Sequence, residues 1–522
     1  MTAPEIALLV LIGLAAFDLW VGVANDAVNF LNSAFGSKAA SRRVIMTIAV
    51  AGVVFGALTS SGLMEVARRG VFDPSWFTDP ATGAVVLSAV LAIYLGVMTA
   101  DVLLLDLFNT FGLLLDLFNT FGLPTSTTVS IVSELVGASF AVALWSSATG
   151  FFDALNVINT GPVFGIYTGI FVSVLVAFVT SALVMWVIRL LYGRDLERSF
   201  KALGWLWTGA SFSALSYFVV YKGLRSTSLL DAGGFDRLEE FLPLLLGASF
   251  TVSAVFGLVF RNRWRLVLRA VILLATGGLA VSFAGNDLVN FIGPTVAAGQ
   301  AVLVEGVDLS GRVATPSWAL LLAGVLMAAA LVTSRKARRV TDTEIRLAAN
   351  GGTADQQYKT HWLSSRVVAL GAWLASGLLL LVPRGLKGAL GRRTEPVPAS
   401  PDDPPYDLLR ASVNLVVASL LISLGTAQGL PLSTTYITFM AAMGAAFGDR
   451  VWGTGDAEAR VAGILVVLGG WLLTGAIAAF AAFVMASIIY LGGGLGILAA
   501  CALVALGVLK LAMVKRPVPT HG

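Results

Sequence analysis

Cysteine is all but missing from this chain. The single thiol, Cys501, sits in an apolar run and has no partner for an intrachain disulfide, so it counts as one more small hydrophobe. Histidine is scarce as well. His361 and His521 are the only two, both in polar segments, which excludes a histidine proton relay inside the apolar part of the chain. Charge is the third scarcity. Asp, Glu, Lys and Arg make up 12% of the residues, against about 25% in a soluble domain. A water-soluble globule is excluded, because its surface would have too few polar groups to cover it. A surface cluster of His, Cys or acidic nucleophiles is also missing, which disfavours an enzyme acting on lipid phosphates. The first apolar run lacks a basic leader and a cleavage-like site, so it reads as a first span and not as a cleaved signal.

What the chain has in abundance is hydrocarbon. Hydrophobic residues account for 57% and the mean hydropathy is +0.87. The fold class is therefore an all-α polytopic membrane protein. A span needs roughly 20 mostly apolar residues, and runs of that kind predict about 11 to 13 transmembrane helices plus re-entrant pieces. The runs extend from about 5–24 to 492–513 and include 366–383. Basic clusters at Arg194, Arg198 and Lys201, at Arg261, Arg263 and Arg265, and at Arg335, Lys336, Arg338 and Arg339 mark cytoplasmic connections. The net charge of +4 then reflects those connections, and no nucleic-acid partner is expected. No Lys or Arg precedes the first span, while Lys38, Arg42 and Arg43 follow it, which favours an outside N-terminus.

Two motifs recur in order. "ANDAVNFLN" (Ala24–Asn32) has a near-copy in "GNDLVNFIG" (Gly285–Gly293), and "GLPTSTT" from Gly122 has one in "GLPLSTT" from Gly429. After each STT the copies also share a Gly-Ala and a Phe at matching offsets. The order ND, STT, ND, STT implies a duplicated unit. The first repeat is 1–200, connecting helices occupy 201–260, and the second repeat is 261–490 with polar loops at 335–365 and 384–409. An extra C-terminal helix and tail are expected at 491–522. Duplicated halves with polar, broken segments at corresponding places point to a secondary transporter. A separate tandem, "LLLDLFNTFG" at 103–112 and 113–122, has no counterpart in the second half. Ten helical residues add about 15 Å. The insertion either lengthens a connection, or disturbs the fold, or reflects an error in the recorded sequence.

The residue types specify chemistry. In a helix Asn25, Asp26 and Asn29 share one face, as do Asn286, Asp287 and Asn290. An intramembrane aspartate costs about 2.5–3.5 kcal/mol on insertion scales and is kept where it meets a cation, a cavity or a polar partner. A carboxylate with amide oxygens suits Na⁺, or a proton on the carboxylate. Gly22 and Gly285 flank the copies and would let the helices unwind to offer carbonyl ligands. In the other motif, Pro124 and Pro431 signal helix starts. Ser126, Thr127 and Thr128, and again Ser433, Thr434 and Thr435, would place three hydroxyls beside the free N–H groups of a first turn. Each turn is a cradle for an oxyanion, and two facing cradles could enclose a tetrahedral one. Cations at Asp26 and Asp287 would remove the repulsion between carboxylate and anion, which couples the two substrates.

At these residues the sequence resembles the inorganic phosphate transporter (PiT) family of cation–phosphate symporters. The resemblance rests on "GVANDAVNF", "AGNDLVNFIGP", "PTSTT" and "PLSTT" and covers roughly 8–490. It implies two inverted-topology repeats with broken or re-entrant helices, and uptake of inorganic phosphate with Na⁺ or H⁺ at a site between the halves. It further implies phosphate contacts from Ser126, Thr127, Thr128, Ser433, Thr434 and Thr435, and a coupling cation held by Asn25, Asp26, Asn286 and Asp287. No cofactor and no enzymatic activity are expected. The expected partners are phosphate, the cation, the lipid bilayer of the plasma (inner) membrane and a second copy of the chain. Departures are Phe30 and Phe291, where many relatives have a small residue, and Val129 and Tyr436, where many have His. The missing histidine tilts the cation toward Na⁺. A sulfate or other oxyanion permease on the same fold is the alternative, with a channel or membrane enzyme behind it. Glu134 and Gln428 stand near the cradles as further candidates, Glu134 for the cation and Gln428 for phosphate.

Overall fold

The computed structural model describes residues 2–60, 63–103, 126–146, 150–193, 195–217, 240–304, most of 306–333, 365–366, 369, 407–449 and 456–513. Nearly all of the tandem decapeptide, most of the candidate span at 366–383, nearly all of both long polar loops and both histidines lie outside the described residues.

The described chain is helical, with isolated bridges joining Phe72 to Ile158 and Thr78 to Val85. The first half comprises α1 (Ala3–Asp26), α2 (Val28–Gly36), α3 (Arg42–Leu58), α4 (Leu87–Asp101), α5 (Thr127–Ser146) and α6 (Thr160–Tyr192). Two helices follow, α7 (Leu196–Ser216) and α8 (Leu242–Val259). The second half comprises α9 (Trp264–Leu303), α10 (Ser317–Thr333), α11 (Leu408–Ala427), α12 (Thr434–Gly448) and α13 (Asp456–Met513). Local chemistry sets several of the starts. The Thr2 N–H donates to Glu5 Oε2 (2.8 Å) ahead of α1, and Asp407 accepts from the Arg410 N–H (2.9 Å) at the start of α11. Ser433 accepts from the Tyr436 N–H (3.3 Å) at the start of α12. Such caps satisfy donors that a helix leaves unpaired.

Among the described residues, seven helices are long and apolar enough to cross a bilayer, namely α1, α5, α6, α8, α9, α11 and α13. The chain is an integral membrane protein. Large apolar side chains are turned outward along α6, where Phe164, Val172, Leu175 and Leu183 are exposed as a lipid-facing stripe would be. In contrast, α4 is buried along most of its length and forms the centre of the bundle. Within α13 the backbone breaks at Gly493 (φ 52°, ψ −128°). A Cβ on Gly496 would fall 2.2 Å from the Ile488 carbonyl oxygen, so the last limb folds back beside the one before it.

The two halves are interleaved. Helix α13 packs along α5, and α6 packs along α12, so each STT helix lies against the closing helix of the other half. The repeated Gly-Ala of the motifs explains how closely. A Cβ on Gly137 would lie 1.9 Å from the Ala479 carbonyl, and one on Gly444 would lie 2.2 Å from that of Phe178. Gly448, one turn on, meets Ala182 in the same way at 2.3 Å. Small residues spaced by one turn allow membrane helices to touch backbone to backbone. The equivalent helices α1 and α9 also pack, and they run antiparallel: Leu8 lies beside Gly299, Thr295 Oγ1 donates to the Leu11 carbonyl (3.3 Å), and Gly22 faces Phe291.

Buried arginines fasten the periphery. The Arg189 guanidinium, at the end of α6, donates to Asp449 Oδ1 through Nε (2.6 Å) and to Asp449 Oδ2 through Nη2 (3.1 Å). It also donates to Asp407, joining α6 to the ends of α11 and α12. Arg68, after α3, donates to Gln300 Oε1 (3.0 Å) and to the carbonyls of Val313 (3.1 Å) and Gly311 (2.9 Å), which fixes the connection between α9 and α10.

Gly444→Val places two methyl groups where the Phe178 carbonyl stands. Overpacking of this kind costs about 1–3 kcal/mol. We expect a lower melting temperature and a broadened size-exclusion peak in detergent, with Gly165→Ala, where nothing lies within 4 Å, behaving as wild type. An unchanged melt for Gly444→Val contradicts the close α6–α12 approach.

Candidate functional site

In the first ND motif α1 ends at Asp26 and α2 begins at Val28, and Ala27 between them keeps right-handed helical backbone (φ −54°, ψ −29°) with its N–H on the Val23 carbonyl (2.9 Å). Asp26 and Asn29 are buried. Asn25 lies in the last turn of α1, and its side chain is outside the described part of the structure. In the second, Asn286, Asp287 and Asn290 are buried in the middle of α9, which runs on through Gly285 and Pro294 as one helix. The sequence predicts unwinding at both flanking glycines, and α9 does not unwind at Gly285. Gly22 instead serves close packing: a Cβ there would strike the Phe291 ring at 2.3 Å. Phe30 packs on Phe283 of α9 with ring centroids 5.0 Å apart. Both aromatic departures from the family pattern are thus wedges between the two ND elements.

The STT residues stand at helix starts, as their sequence predicts. Ser126 precedes α5 and accepts from the Val129 N–H (3.3 Å), with Thr127 and Thr128 in the first turn. Ser433 caps α12, with Thr434 and Thr435 in its first turn.

The hydrogen bonds between motifs are crossed. Asn29, from the first ND motif, donates to Thr435 Oγ1 of the second STT turn (3.0 Å). Asn290, from the second ND motif, donates to Thr127 Oγ1 (3.2 Å) and Thr128 Oγ1 (3.0 Å) of the first STT turn. Asn286 clasps the second turn: its amide nitrogen donates to the Leu432 carbonyl (2.5 Å) and to Asp287 Oδ1 (2.6 Å), and its oxygen accepts from the Leu432 N–H (3.0 Å). Thr434 donates to Asp287 Oδ2. Thr128 donates to the Leu432 carbonyl (3.1 Å), tying the first turn directly to the second.

This pattern sorts the hydroxyls. The protons of Thr434 and Thr128 are committed to Asp287 and Leu432. Thr127 and Thr435 accept from asparagines, which uses oxygen lone pairs and not their O–H protons. Asp287 is surrounded by the neutral donors Asn286 and Thr434, so its charge is met by dipoles. A carboxylate so placed attracts a cation, and two helix starts a few side chains away present N–H donors to an anion.

Sequence reasoning missed several members of this neighbourhood. Thr426 of α11 donates to Asn286 Oδ1 (3.4 Å), and Ser282 and Ser423 share a hydrogen bond of 2.5 Å between α9 and α11. Glu134 is not alone. Asp101 of α4 hydrogen-bonds both Glu134 and Asp18 of α1, and Ser130 donates to Glu134 Oε1 (2.8 Å). Three buried acids, Asp18, Asp101 and Glu134, thus stand in one neighbourhood. Among the described residues no group of three or more His, Cys, Asp or Glu is arranged to hold a metal ion. Single acids in unrelated apolar runs carry no spacing signal, which is why the trio escaped notice. Gln428 is exposed at the end of α11 and contributes nothing to the cluster.

Comparisons with known proteins identify the family and the fold. A model described as the phosphate transporter family matches residues 22–343. A candidate phosphate permease of Pyrococcus furiosus is 26% identical over 342 residues, covering 63% of this chain and 74% of that one. Another from Pyrococcus abyssi is 28% identical over 343 residues, covering 63% of this chain and 75% of that one. A solved structure titled "The sodium-dependent phosphate transporter" shares the fold with a TM-score of 0.63 at 17% identity, covering 94% of this chain and 100% of that one. With most of its length matched and its paired ND and STT motifs hydrogen-bonded across the two halves, the chain belongs to the phosphate transporter family, a family of transporters and not of enzymes.

Proposed function

We propose that this protein imports inorganic phosphate across the plasma membrane by symport with a cation, Na⁺ in preference to H⁺. The observation that carries the proposal is the hydrogen bond from Thr434 to Asp287, which makes one hydroxyl answer to both substrates. A cation drawn to Asp287 cancels the charge that repels the anion. It also competes for the lone pair that holds the Thr434 hydroxyl, so that the O–H turns to the anion in the cradle. Phosphate would then be held by Ser126, Thr127, Thr128, Ser433, Thr434 and Thr435 with the first-turn N–H groups. The cation would be held by Asp26 and Asp287 with oxygens of Asn25, Asn29, Asn286 and Asn290. The antiparallel packing of α1 on α9 supports two halves of opposite orientation, the arrangement by which a transporter exposes one site to either side in turn.

One observation favours proton coupling as a second reading. The Asp18–Asp101–Glu134 trio gathers three buried carboxyl groups among α1, α4 and α5, where a transported proton would find acceptors. Proteoliposomes separate the two. Radiolabelled phosphate uptake driven by an inward Na⁺ gradient at equal pH supports Na⁺ symport, whereas uptake driven only by an inward proton gradient supports the second reading. Excess unlabelled sulfate should leave uptake intact, and strong competition points to a general oxyanion permease.

Two variants sharpen the test. Asp287→Asn keeps the size and removes the charge, and we expect it to abolish the cation stimulation of uptake, a coupling of roughly 5–150-fold. Full stimulation in this variant contradicts the mechanism. Asn290→Leu removes the donor to Thr127 and Thr128, and the KM for phosphate should rise by about fivefold or more, as the loss of a buried hydrogen bond implies. An unchanged KM removes Asn290 from the site.

A further inference from the structure

The second STT turn stands at one end of a row of hydroxyls that phosphate binding does not use. On α11, Ser412, Ser419, Ser423 and Thr426 are spaced by seven, four and three residues, which puts them on one face of the helix. Thr426 begins the row at the site, where it donates to Asn286 Oδ1 (3.4 Å). Ser423 follows, sharing its 2.5 Å hydrogen bond with Ser282 of α9. Ser412 ends the row, about 21 Å down the helix, and accepts from Trp207 Nε1 of α7 (3.0 Å). Just below it Asp407, its side chain 31% exposed, is paired with Arg189 at the end of α6. The basic residues that come next in the chain, Arg194, Arg198 and Lys201, mark that end as cytoplasmic. The row therefore joins the site to the cytoplasmic face.

Helix contact accounts for part of this row and not for the rest. Polar side chains between membrane helices find partners across the contact, as Ser412, Ser423 and Thr426 do. Three buried atoms in the cytoplasmic half do not. They are Ser419 Oγ, one turn below Ser423, Ser211 Oγ, one turn after Trp207 on α7, and Asn414 Oδ1. The Asn414 amide nitrogen donates to Ser33 Oγ of α2 (3.4 Å), while its oxygen makes no hydrogen bond. Unmatched buried polar atoms are costly and rare, and here three gather where α2 and α7 pack on α11. We infer that this seam is the release path for the transported ions, shut in this structure, and that Ser419, Asn414 and Ser211 line it. The inference rests on the transport reading above and adds the route by which the site empties. The chemistry suits transit. A hydroxyl donates to an anion and accepts from or coordinates a cation, and α11 carries no charged side chain between Ser412 and Thr426 to trap either. The three unmatched atoms gain partners when α11 parts from α2 and α7.

The test is cysteine accessibility in the full chain, with C501A as the background. S419C and S211C are treated in sided membrane vesicles with a membrane-impermeant cationic methanethiosulfonate. L424C, at an apolar position of α11 that is turned outward, is the control. We expect S419C to react from the cytoplasmic side, the labelled protein to lose phosphate uptake, and L424C not to react. A S419C that does not react from that side overturns the inference. So does labelling that leaves uptake intact, or equal labelling of L424C. If S419C fails to reach the membrane, S211C decides by the same criteria. Labelling needs no phosphate, so the two readings fail separately. A wild-type protein that takes up no phosphate counts against the transport reading. An unlabelled S419C in a working transporter counts against the path alone.

Discussion

One exchange of hydrogen bonds governs this molecule: each ND motif donates to the STT turn of the opposite half. Asn29 reaches Thr435, and Asn290 reaches Thr127 and Thr128. In hydrocarbon an unsatisfied amide is expensive, so buried polar side chains stay where partners exist. Here the partners of Asn29 and Asn290 lie in the other half, while Asn286 and Asp287 are met by Leu432 and Thr434 of their own half. The second turn is held most firmly, because Asn286 grips both the N–H and the carbonyl of Leu432.

The packing around that exchange brings the two helix starts together beside the buried Asp287. Gly137, Gly444 and Gly448 let α5 and α12 press against the closing helices of the opposite halves. Phe291 fits against Gly22, and Phe30 against Phe283, which sets the separation of the ND elements. At the ends of α6, α11 and α12, Arg189 holds Asp407 and Asp449 together. Breaking a buried pair of this kind by removing one partner costs about 3–5 kcal/mol, because the other charge is left alone. The site is asymmetric although its motifs are repeated in the sequence. Asn286 and Asp287 bind the second STT turn within their own half, and among the described residues the acid trio flanks the first half-site.

Much of this was legible in the sequence. Apolar runs gave the helices, since their length and composition are what a bilayer selects. The duplicated motifs named the buried polar residues, because a carboxylate or amide kept twice in hydrocarbon requires a reason. Pro-Leu-Ser-Thr-Thr located the start of α12, with Ser433 as its cap. The repeated glycine after each STT was visible as a repeat, although its use in helix contact was not. What the sequence could not show is pairing. Thr435 lies 406 residues from Asn29, and no periodicity reports a contact over that distance. The bond between Asp287 and Thr434 and the Asp18–Asp101–Glu134 trio are likewise long-range facts of packing. The expected unwinding at Gly285 failed for a related reason: a glycine in a span is equally suited to bending and to close approach, and only the neighbours decide.

The central claim is that cation occupancy at Asp287 governs anion binding. Calorimetric titration of phosphate into the purified protein, in sodium and in choline buffers at fixed pH, tests it most directly. The account predicts tighter phosphate binding in sodium, and a matching gain in sodium affinity when phosphate is present, since coupling between two ligands is reciprocal. The same phosphate Kd in sodium and choline, at every pH tried, contradicts it.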